Sequence, residues 1–489
     1  MWPKPFSTAV WIGATDLSAD ISAFYHAIPV LSTYSEVHDI YLVGGAVRDM
    51  LLSNSPLDYD IVVSGDPQVF VDAVSQDMGV SFFKLGKNRQ VVYRGKIGSY
   101  TLDIVPMAGG SIASDLYLRD FTINAMAVHL GHQVPIDPLN GQADLAERTI
   151  RMVSEQAFVN DPLRLIRAYR LAATLNFEIE TETKTAIQTH SRLISKPAGE
   201  RIREELFRLL NTPCASGILR KMKDSGLLFE IFPEIRNTSG CTQNEHHTFD
   251  VLEHTLWACH HLEAILNGDG ADAVMFQAAI AAPKWPVLKL AMLLHDIGKP
   301  STRTMDDSGS VHFYGHEKAG AQMASDIALR LKLSNSDSEY LRELIRNHLR
   351  PLFLYQAHQT RTLTRKGIVR LFRAMKDDMP DLLAMVLADI RAKTDKSDDA
   401  DPAFCDFVVN LLKLYGEDYL PRQKQAPLIT GQDLMIHFGL QPSAEFKIIL
   451  EAVEEGRLSH ELSDREMALA WVQEWLAVHE KGAMNSEKD

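Results

Sequence analysis

Short apolar runs separated by polar breaks dominate residues 39–130. Ile40-Tyr41-Leu42-Val43 stops at Gly44-Gly45, and Leu57-Asp58-Tyr59-Asp60 alternates before the wholly apolar Ile61-Val62-Val63. Similar runs follow at 79–85, 89–95, 100–106 and 124–130. Runs of this length predict β-strands, and two helical stretches between them, one over 46–52, predict a mixed α/β head over 39–150. From Pro162 the period lengthens, with Leu163, Ile166, Ala168, Tyr169 and Ala172 at helical spacing. Helical patterning then persists to the end of the chain. The expected fold class is α+β: a small head with a mixed β-sheet, followed by all-α regions at 151–236, 237–400 and 401–489. Residues 1–38 are weakly patterned and read as an N-terminal leader.

At 489 residues the chain exceeds one ordinary core, so two or three domains are expected. Hydrophobic residues at 46% and charged ones at 23% are the balance of a soluble globular protein. The four cysteines show no metal-ligand spacing and read as reduced, buried thiols of a cytoplasmic protein. No apolar stretch is long enough for a bilayer, so no membrane partner is expected. A net charge of −14 argues against indiscriminate coating of nucleic acid. An RNA partner then needs a local basic track. Arg164, Arg167, Arg170, Arg201, Arg203, Arg208, Arg220, Lys221 and Lys223 supply one, unless they lie on solvated helix faces.

Asp58 and Asp60, at i and i+2 of a strand, point to one face. Such a pair suits two cations roughly 3.5–4 Å apart, which activate an attacking hydroxyl and neutralise a leaving pyrophosphate. Gly44 and Gly45 end the preceding strand and open a helix, so that bare backbone N–H groups face the same cleft. Asp103 can add a third carboxylate, or can be an exposed strand residue. Asp161 and Arg164, three apart and expected on one helix face, can accept from an exocyclic amino group and donate to the neighbouring ring nitrogen, as adenine and cytosine require. The alternative is a salt bridge near a helix N-terminus.

A second constellation lies further on. His254, His295-Asp296, His316, His348 and Asp389 each fall in helical stretches, and imidazole with carboxylate suits a divalent transition metal that polarises phosphate and activates water. Asp296 sits in the apolar run LKLAMLLHDIGKP, where a carboxylate without a partner costs several kcal/mol. His246, His247, His260 and His261 read as surface or capping residues. Asp395–Asp401 reads as an acidic linker, and the helices carrying Trp471 and Trp475 show no chemical motif.

GGAVRD followed by DYD, then Arg119-Asp120-Phe121-Thr122-Ile123-Asn124-Ala125-Met126-Ala127, Asp137-Pro138, Gly141, Asp144-Leu145, Asp161-Pro162-Leu163-Arg164 with Arg167, and Glu200 to Leu206 together resemble the class II tRNA nucleotidyltransferases and bacterial poly(A) polymerases. The resemblance implies a nucleotidyltransferase head with Mg2+ at Asp58 and Asp60, and nucleotide contacts from Gly44, Gly45, Arg48, Arg119, Asp120 and Asn124. It implies base selection and RNA binding at 151–236, with Asp161, Arg164, Arg167 and Arg170 touching the nucleotide. The implied partners are tRNA and CTP and/or ATP. Leu118 and Asn160 stand where the family has Arg and Glu. The histidine set resembles the HD-domain metal phosphohydrolases, with His254, His295, Asp296 and Asp389 as metal ligands and His316 and His348 as a second metal site or phosphate contacts. Only IVPMAGGSIAS separates Asp103 from Asp115, where family members that add the terminal adenosine carry a longer loop; this implies addition of the two cytidines alone. A poly(A) polymerase, usually marked by a basic tail, and an HD phosphohydrolase with a nucleotide- or RNA-sensing head are the alternatives.

Overall fold

A computed structural model describes residue 34 and residues 39–86, 91–131, 135–243, 249–270, 272–393 and 401–486. The leader other than Tyr34, His246, His247 and nearly all of the acidic linker lie outside them. The chain divides into two compact units, Met1–Thr212 with Ile218–Ile231, and Pro213–Gly217 with Phe232–Asp489.

The first unit opens with β1 (Ile40–Val43), α1 (Gly45–Leu51), β2 (Asp58–Val63), α2 (Pro67–Met78), β3 (Phe82–Leu85), β4 (Val92–Ile97), β5 (Tyr100–Pro106), α3 (Ile112–Leu116), β6 (Ala127–His129) and β7 (Pro135–Ile136). Local chemistry sets the ends. Asp66 caps α2 by accepting from the Gln68 N–H, Pro67 takes its first turn, and Gly79 closes it in the left-handed region. The strands form one seven-stranded sheet in the order β3-β4-β5-β2-β1-β6-β7. Within this sheet, among the described residues, β2 and β5 alone run parallel, which is what α2 and the β3–β4 hairpin between them permit. Ile61, Val62 and Val63 are buried while Asp58 is exposed and Asp60 half-buried, so the apolar end of β2 anchors the strand and leaves its acidic end accessible.

After the head come α4 (Gln156–Asn160), α5 (Arg164–Leu175) and α6 (Gly199–Leu210). The helical spacing read from the sequence is the buried face of α5: Leu165, Ile166, Ala168, Tyr169, Leu171, Ala172 and Ala173. Asp161 corrects one expectation. It lies in extended backbone between α4 and α5, because Pro162 follows it and disfavours the helical conformation there, so Asp161 and Arg164 do not share a helix face.

The second unit is helical and includes α7 (Val251–Leu266), α8 (Trp285–Leu294), α9 (His316–Arg330), α10 (Asn335–Asn347) and α11 (Met379–Arg391). At its end α12 (Gly431–Phe438), α13 (Ala444–Leu458) and α14 (Arg465–Ser486) enclose a core of Ile429, Leu434, Ile449, Val453, Leu462, Ala468 and Val472, against which Trp471 and Trp475 pack. The cysteines are free, but only Cys259 is buried and Cys214 is exposed, a distinction that a count of thiols does not carry. No helix among the described residues is long and apolar enough to cross a membrane.

Candidate active site and metal centre

Asp60 on β2 and Asp103 on β5 are direct partners in the parallel pair, and Asp58 lies two residues before Asp60 on the same face. Burial raises the pKa of Asp60; Arg119 pulls it back, and Asp103 and Asp58 push it further up. A carboxylate held high by burial and like charge favours a bound cation. Gly44 closes the near side. Its φ is +73°, and a Cβ there would stand 3.1 Å from Arg119 Nη1 and 3.2 Å from Asp60 Oδ2. Glycine is required both by that conformation and by the close approach. The expectation that its N–H is bare is corrected: it donates to the Met126 carbonyl at 3.3 Å.

The second signature is a connected hydrogen-bonded chain. Arg48 donates to Asp49 at 2.8 Å and to Asn124 Oδ1 at 2.6 Å, and Asn124 donates to Asp120 at 3.1 Å. Arg167 donates to Asp120 at 3.2 Å and to Glu205 at 2.9 and 3.0 Å, and Arg170 donates to Glu205 at 2.8 Å. Burial opposes ionisation of Asp120, but Arg167 and Arg164, with hydrogen bonds from Asn124 and the Phe121 N–H, outweigh it and hold its pKa below the ordinary carboxylate value. Arg119 is aimed by Asp115, to which it donates at 2.9 and 3.1 Å. Arg164 donates to the carbonyls of Arg119 at 3.2 Å and Ala157 at 3.4 Å, while its buried Nε has no hydrogen-bond partner. Asp161 pairs with Arg201 at 3.4 Å. The basic track therefore divides: Arg167 and Arg170 are spent on the buried Glu205, whereas Arg201 and Lys221 form solvent-accessible pairs with Asp161 and Glu178, as the solvated-face alternative expects.

One residue of the site was missed. Arg94 on β4 grips Asp103 with two hydrogen bonds, 2.7 and 2.6 Å. It is the antiparallel partner of Asp103, a relation that only the strand register reveals.

In the second unit, Asp296 is the hub. Its Oδ2 lies 3.3 Å from His295 Nε2 and 3.8 Å from His254 Nε2, and its Oδ1 lies 3.4 Å from His316 Nε2 and 3.9 Å from His348 Nε2. Asp389 joins the first side, 2.7 Å from His254 Nε2 and 3.5 Å from His295 Nε2. Each imidazole is oriented by its other nitrogen, which meets a backbone carbonyl: Ala392 at 3.2 Å for His254, Met292 at 2.8 Å for His295, Phe313 at 2.8 Å for His316 and Ile345 at 2.6 Å for His348. An Nδ1–H donated to a carbonyl leaves the Nε2 lone pair for a ligand. Two donor sets result, His254, His295 and Asp296, and Asp296, His316 and His348, each mutually within 4.8 Å.

The donors fit a divalent ion. His295 Nε2 and Asp296 Oδ2 are buried without a well-directed hydrogen bond, although Lys299 Nζ stands 2.6 Å from that oxygen. Burial lowers the pKa of His295, but Asp296 and Asp389 prevail and push it up to about 10. His295 and Asp296 follow the end of α8 and His348 the end of α10, instead of lying within helices as expected; ending the helix lets these side chains turn toward a centre. Gly298 allows the approach of α9, since a Cβ there would stand 2.3 Å from the His316 carbonyl oxygen. His260 is exposed and His261 half-buried, and neither belongs to these donor sets.

Comparison with known proteins follows the same division. The family model described as the poly A polymerase head domain matches residues 40–107 and 98–151, the probable RNA and SrmB-binding site of polymerase A matches 176–238, and the HD domain matches 247–390. An A-adding tRNA nucleotidyltransferase of Deinococcus radiodurans is 34% identical over 440 residues, covering 89% of this chain and 95% of its own. A CC-adding tRNA nucleotidyltransferase of Geobacter sulfurreducens is 48% identical over 195 residues, 39% of this chain and 45% of its own. Among solved structures, a Thermotoga maritima CCA-adding enzyme complexed with tRNA superposes with a TM-score of 0.64 at 21% identity, over 94% of this chain and 98% of that one, a likeness of fold.

Proposed function

The chain belongs to the tRNA nucleotidyltransferase family, and from that premise we propose that its head, 39–150, adds nucleotides to the 3′ end of tRNA at Asp58, Asp60 and Asp103. The observation that carries this reading is the registered pair Asp60 and Asp103 beside Gly44, where an added Cβ would stand 3.2 Å from Asp60 Oδ2. Mg2+ held by these carboxylates would assist loss of the proton from the 3′-hydroxyl and neutralise the departing pyrophosphate. Arg119, steered by Asp115, meets charge on the triphosphate beside Gly44. Arg48, Asn124 and Asp120 hold this wall in place through their hydrogen-bonded chain, with Arg167 and Arg170 bracing it through Glu205. Asp161 and Arg164 read the base edge. The Arg119 and Ala157 carbonyls hold the Arg164 guanidinium, which supplies the donor for the ring nitrogen.

The nucleotides added are CMP, as two cytidines. The interval between Asp103 and Asp115 forms a fastened turn: Ala108 N–H donates to Asp115 at 3.1 Å, and Gly109 packs so closely on Ser114 that a Cβ would come within 2.6 Å. A turn tied in this way resists reshaping the pocket from a pyrimidine to a purine. Relatives that add A and relatives that add CC are both similar to this chain and support the shared chemistry alike, so the fastened turn alone carries the choice of cytidine. Whole-length likeness to a tRNA enzyme favours tRNA over poly(A) as product. Incubating the protein with labelled CTP or ATP and tRNA lacking its 3′ end tests the assignment.

Residues 151–236 serve base selection and RNA binding, and 237–400 form an HD domain that hydrolyses phosphate esters. Its two donor sets sharing Asp296 could hold a pair of divalent transition ions, which polarise phosphate and supply hydroxide. Lys299, 2.6 Å from Asp296, adds positive charge for an anionic substrate.

A further inference from the structure

The row of side chains that carries Asp60 does not end at Asp103. Directly paired residues on neighbouring strands share a face of the sheet. The register runs from Asp60 to Asp103, from Asp103 to Arg94 and from Arg94 to Phe83, reaching the edge strand β3. Phe83 is 70% exposed, and Leu85, two residues on and so on the same face, is 44% exposed. The opposite face pins this arrangement. Phe82 pairs with Gly95, and a Cβ on Gly95 would lie 2.6 Å from the Phe82 ring, so that ring fills the room left by the missing side chain. A slip of one residue would drive Phe82 out of that room, and Phe83 is thereby held on the carboxylate side.

An isolated exposed hydrophobic residue is ordinary. Here an exposed aromatic ring lies in line with the acidic row, with a guanidinium between them. Aromatic rings stack bases of any sequence, and arginine pairs with phosphate. The Arg94 side chain is 55% exposed although both its hydrogen bonds go to Asp103, so an arriving phosphate can reach the guanidinium and compete with that carboxylate for it.

We propose that Phe83 and Arg94 form a subsite for the 3′-terminal nucleotide of the RNA acceptor, the base stacking on Phe83 and a backbone phosphate drawing Arg94 away from Asp103. The inference rests on the transfer site being the acidic row. The incoming nucleotide has its own base reader in Asp161 and Arg164, so the stacking face falls to the acceptor. The Cα atoms of Phe83 and Asp103 are two strand spacings apart, about 10 Å, which sets the base at the hairpin when the 3′-hydroxyl is over the carboxylates. The exchange also frees both oxygens of Asp103 as the acceptor arrives.

The test uses the full chain and tRNA lacking its CCA end, with 2-aminopurine as its 3′-terminal base. Binding should quench the fluorescence in the wild type. In Phe83→Ala the quench should disappear while anisotropy still reports bound tRNA, and the KM for acceptor should rise about tenfold with the KM for CTP unchanged, as loss of one stacked base predicts. Phe83→Trp should restore both readouts and Phe83→Leu neither. Arg94→Ala should also raise the acceptor KM, with partial recovery in Arg94→Lys. Unchanged quenching and acceptor KM in Phe83→Ala and Arg94→Ala would overturn the subsite, as would a rise confined to the KM for CTP. Absence of nucleotide addition by the wild type would instead overturn the transfer reading, and the quenching assay, which needs no transfer, would still decide the subsite.

Discussion

Asp60 and Asp103 stand side by side across the parallel strands β2 and β5, although they lie in separate apolar runs with a helix and a hairpin between them. Their proximity raises the pKa of Asp60 on top of its burial, and Gly44 leaves open the space above it. This relation underlies the first expected outcome. Asp58→Ala or Asp60→Ala should lower nucleotide addition at least about 100-fold, the loss typical when one electrostatic stabiliser of a transition state is removed. The melting temperature and tRNA binding should stay near those of the wild type. Gel-based addition assays with labelled CTP measure the first, and substantial residual transfer in both variants would relocate the site.

Asp296 contributes to both donor sets, so Asp296→Asn combined with His295→Ala should remove bound divalent ions and any metal-dependent phosphatase or phosphodiesterase activity. Nucleotide addition should persist. Ion content by atomic absorption, hydrolysis of a chromogenic phosphodiester and addition to tRNA give three independent readouts, with circular dichroism confirming the fold. Loss of addition in the folded variant would show that the two centres are coupled.

Arg164→Ala should blur the choice among the four nucleoside triphosphates. Each good bidentate base contact is worth about 1–3 kcal/mol, so discrimination should fall by about tenfold or more. Competition between CTP and the other three in a single reaction measures it directly. A preference equal to that of the wild type would place base reading elsewhere.

The fastened turn between Asp103 and Asp115 leads to addition of cytidine only. Acceptors ending before the first C, after one C and after CC, each offered CTP or ATP, should be extended by CTP in the first two cases and left unextended in the third. Efficient ATP addition to the CC-ended tRNA would restore full CCA synthesis, and ATP addition without CTP addition would mark an A-adding enzyme.

Asp120 yields a pH dependence with a definite sign. Its folded pKa lies below the ordinary value, so it contributes stability that is fully present above about pH 4 and is lost as the pH falls through the folded value. Asp120→Asn should cost about 3 kcal/mol at neutral pH, because Arg167 loses a buried partner, and should flatten the acid limb of a plot of melting temperature against pH. An acid limb as steep as that of the wild type would assign the sensitivity to other carboxylates.

Local order was legible in the linear chain because it depends on neighbours within a few residues. The alternation around Asp58 and Asp60 marked a strand with both carboxylates on one face, the apolar spacing after Pro162 marked the buried face of α5, and six of the seven strands of the sheet were expected from their runs. The seventh, Pro135–Ile136, is too short to carry a period. The residue types around His295 and Asp296 likewise announced ligand chemistry, since an apolar run does not retain a carboxylate without a partner.

What only the tertiary structure decided depends on register and on distant closure. Arg94 became part of the site because β4 pairs with β5 at one register; a shift of one residue would turn it to the other face. Asp120 meets Arg167 across 47 residues, and Arg167 meets Glu205 across 38, so arginines that looked like an RNA track are committed to buried carboxylates. Asp161 left the helix because Pro162 follows it, a local rule overridden in the linear reading by the appeal of an i,i+3 pair. The convergence of four histidines on the two oxygens of Asp296 required three helix ends and the close approach at Gly298, and chain spacing does not specify how separate helices meet.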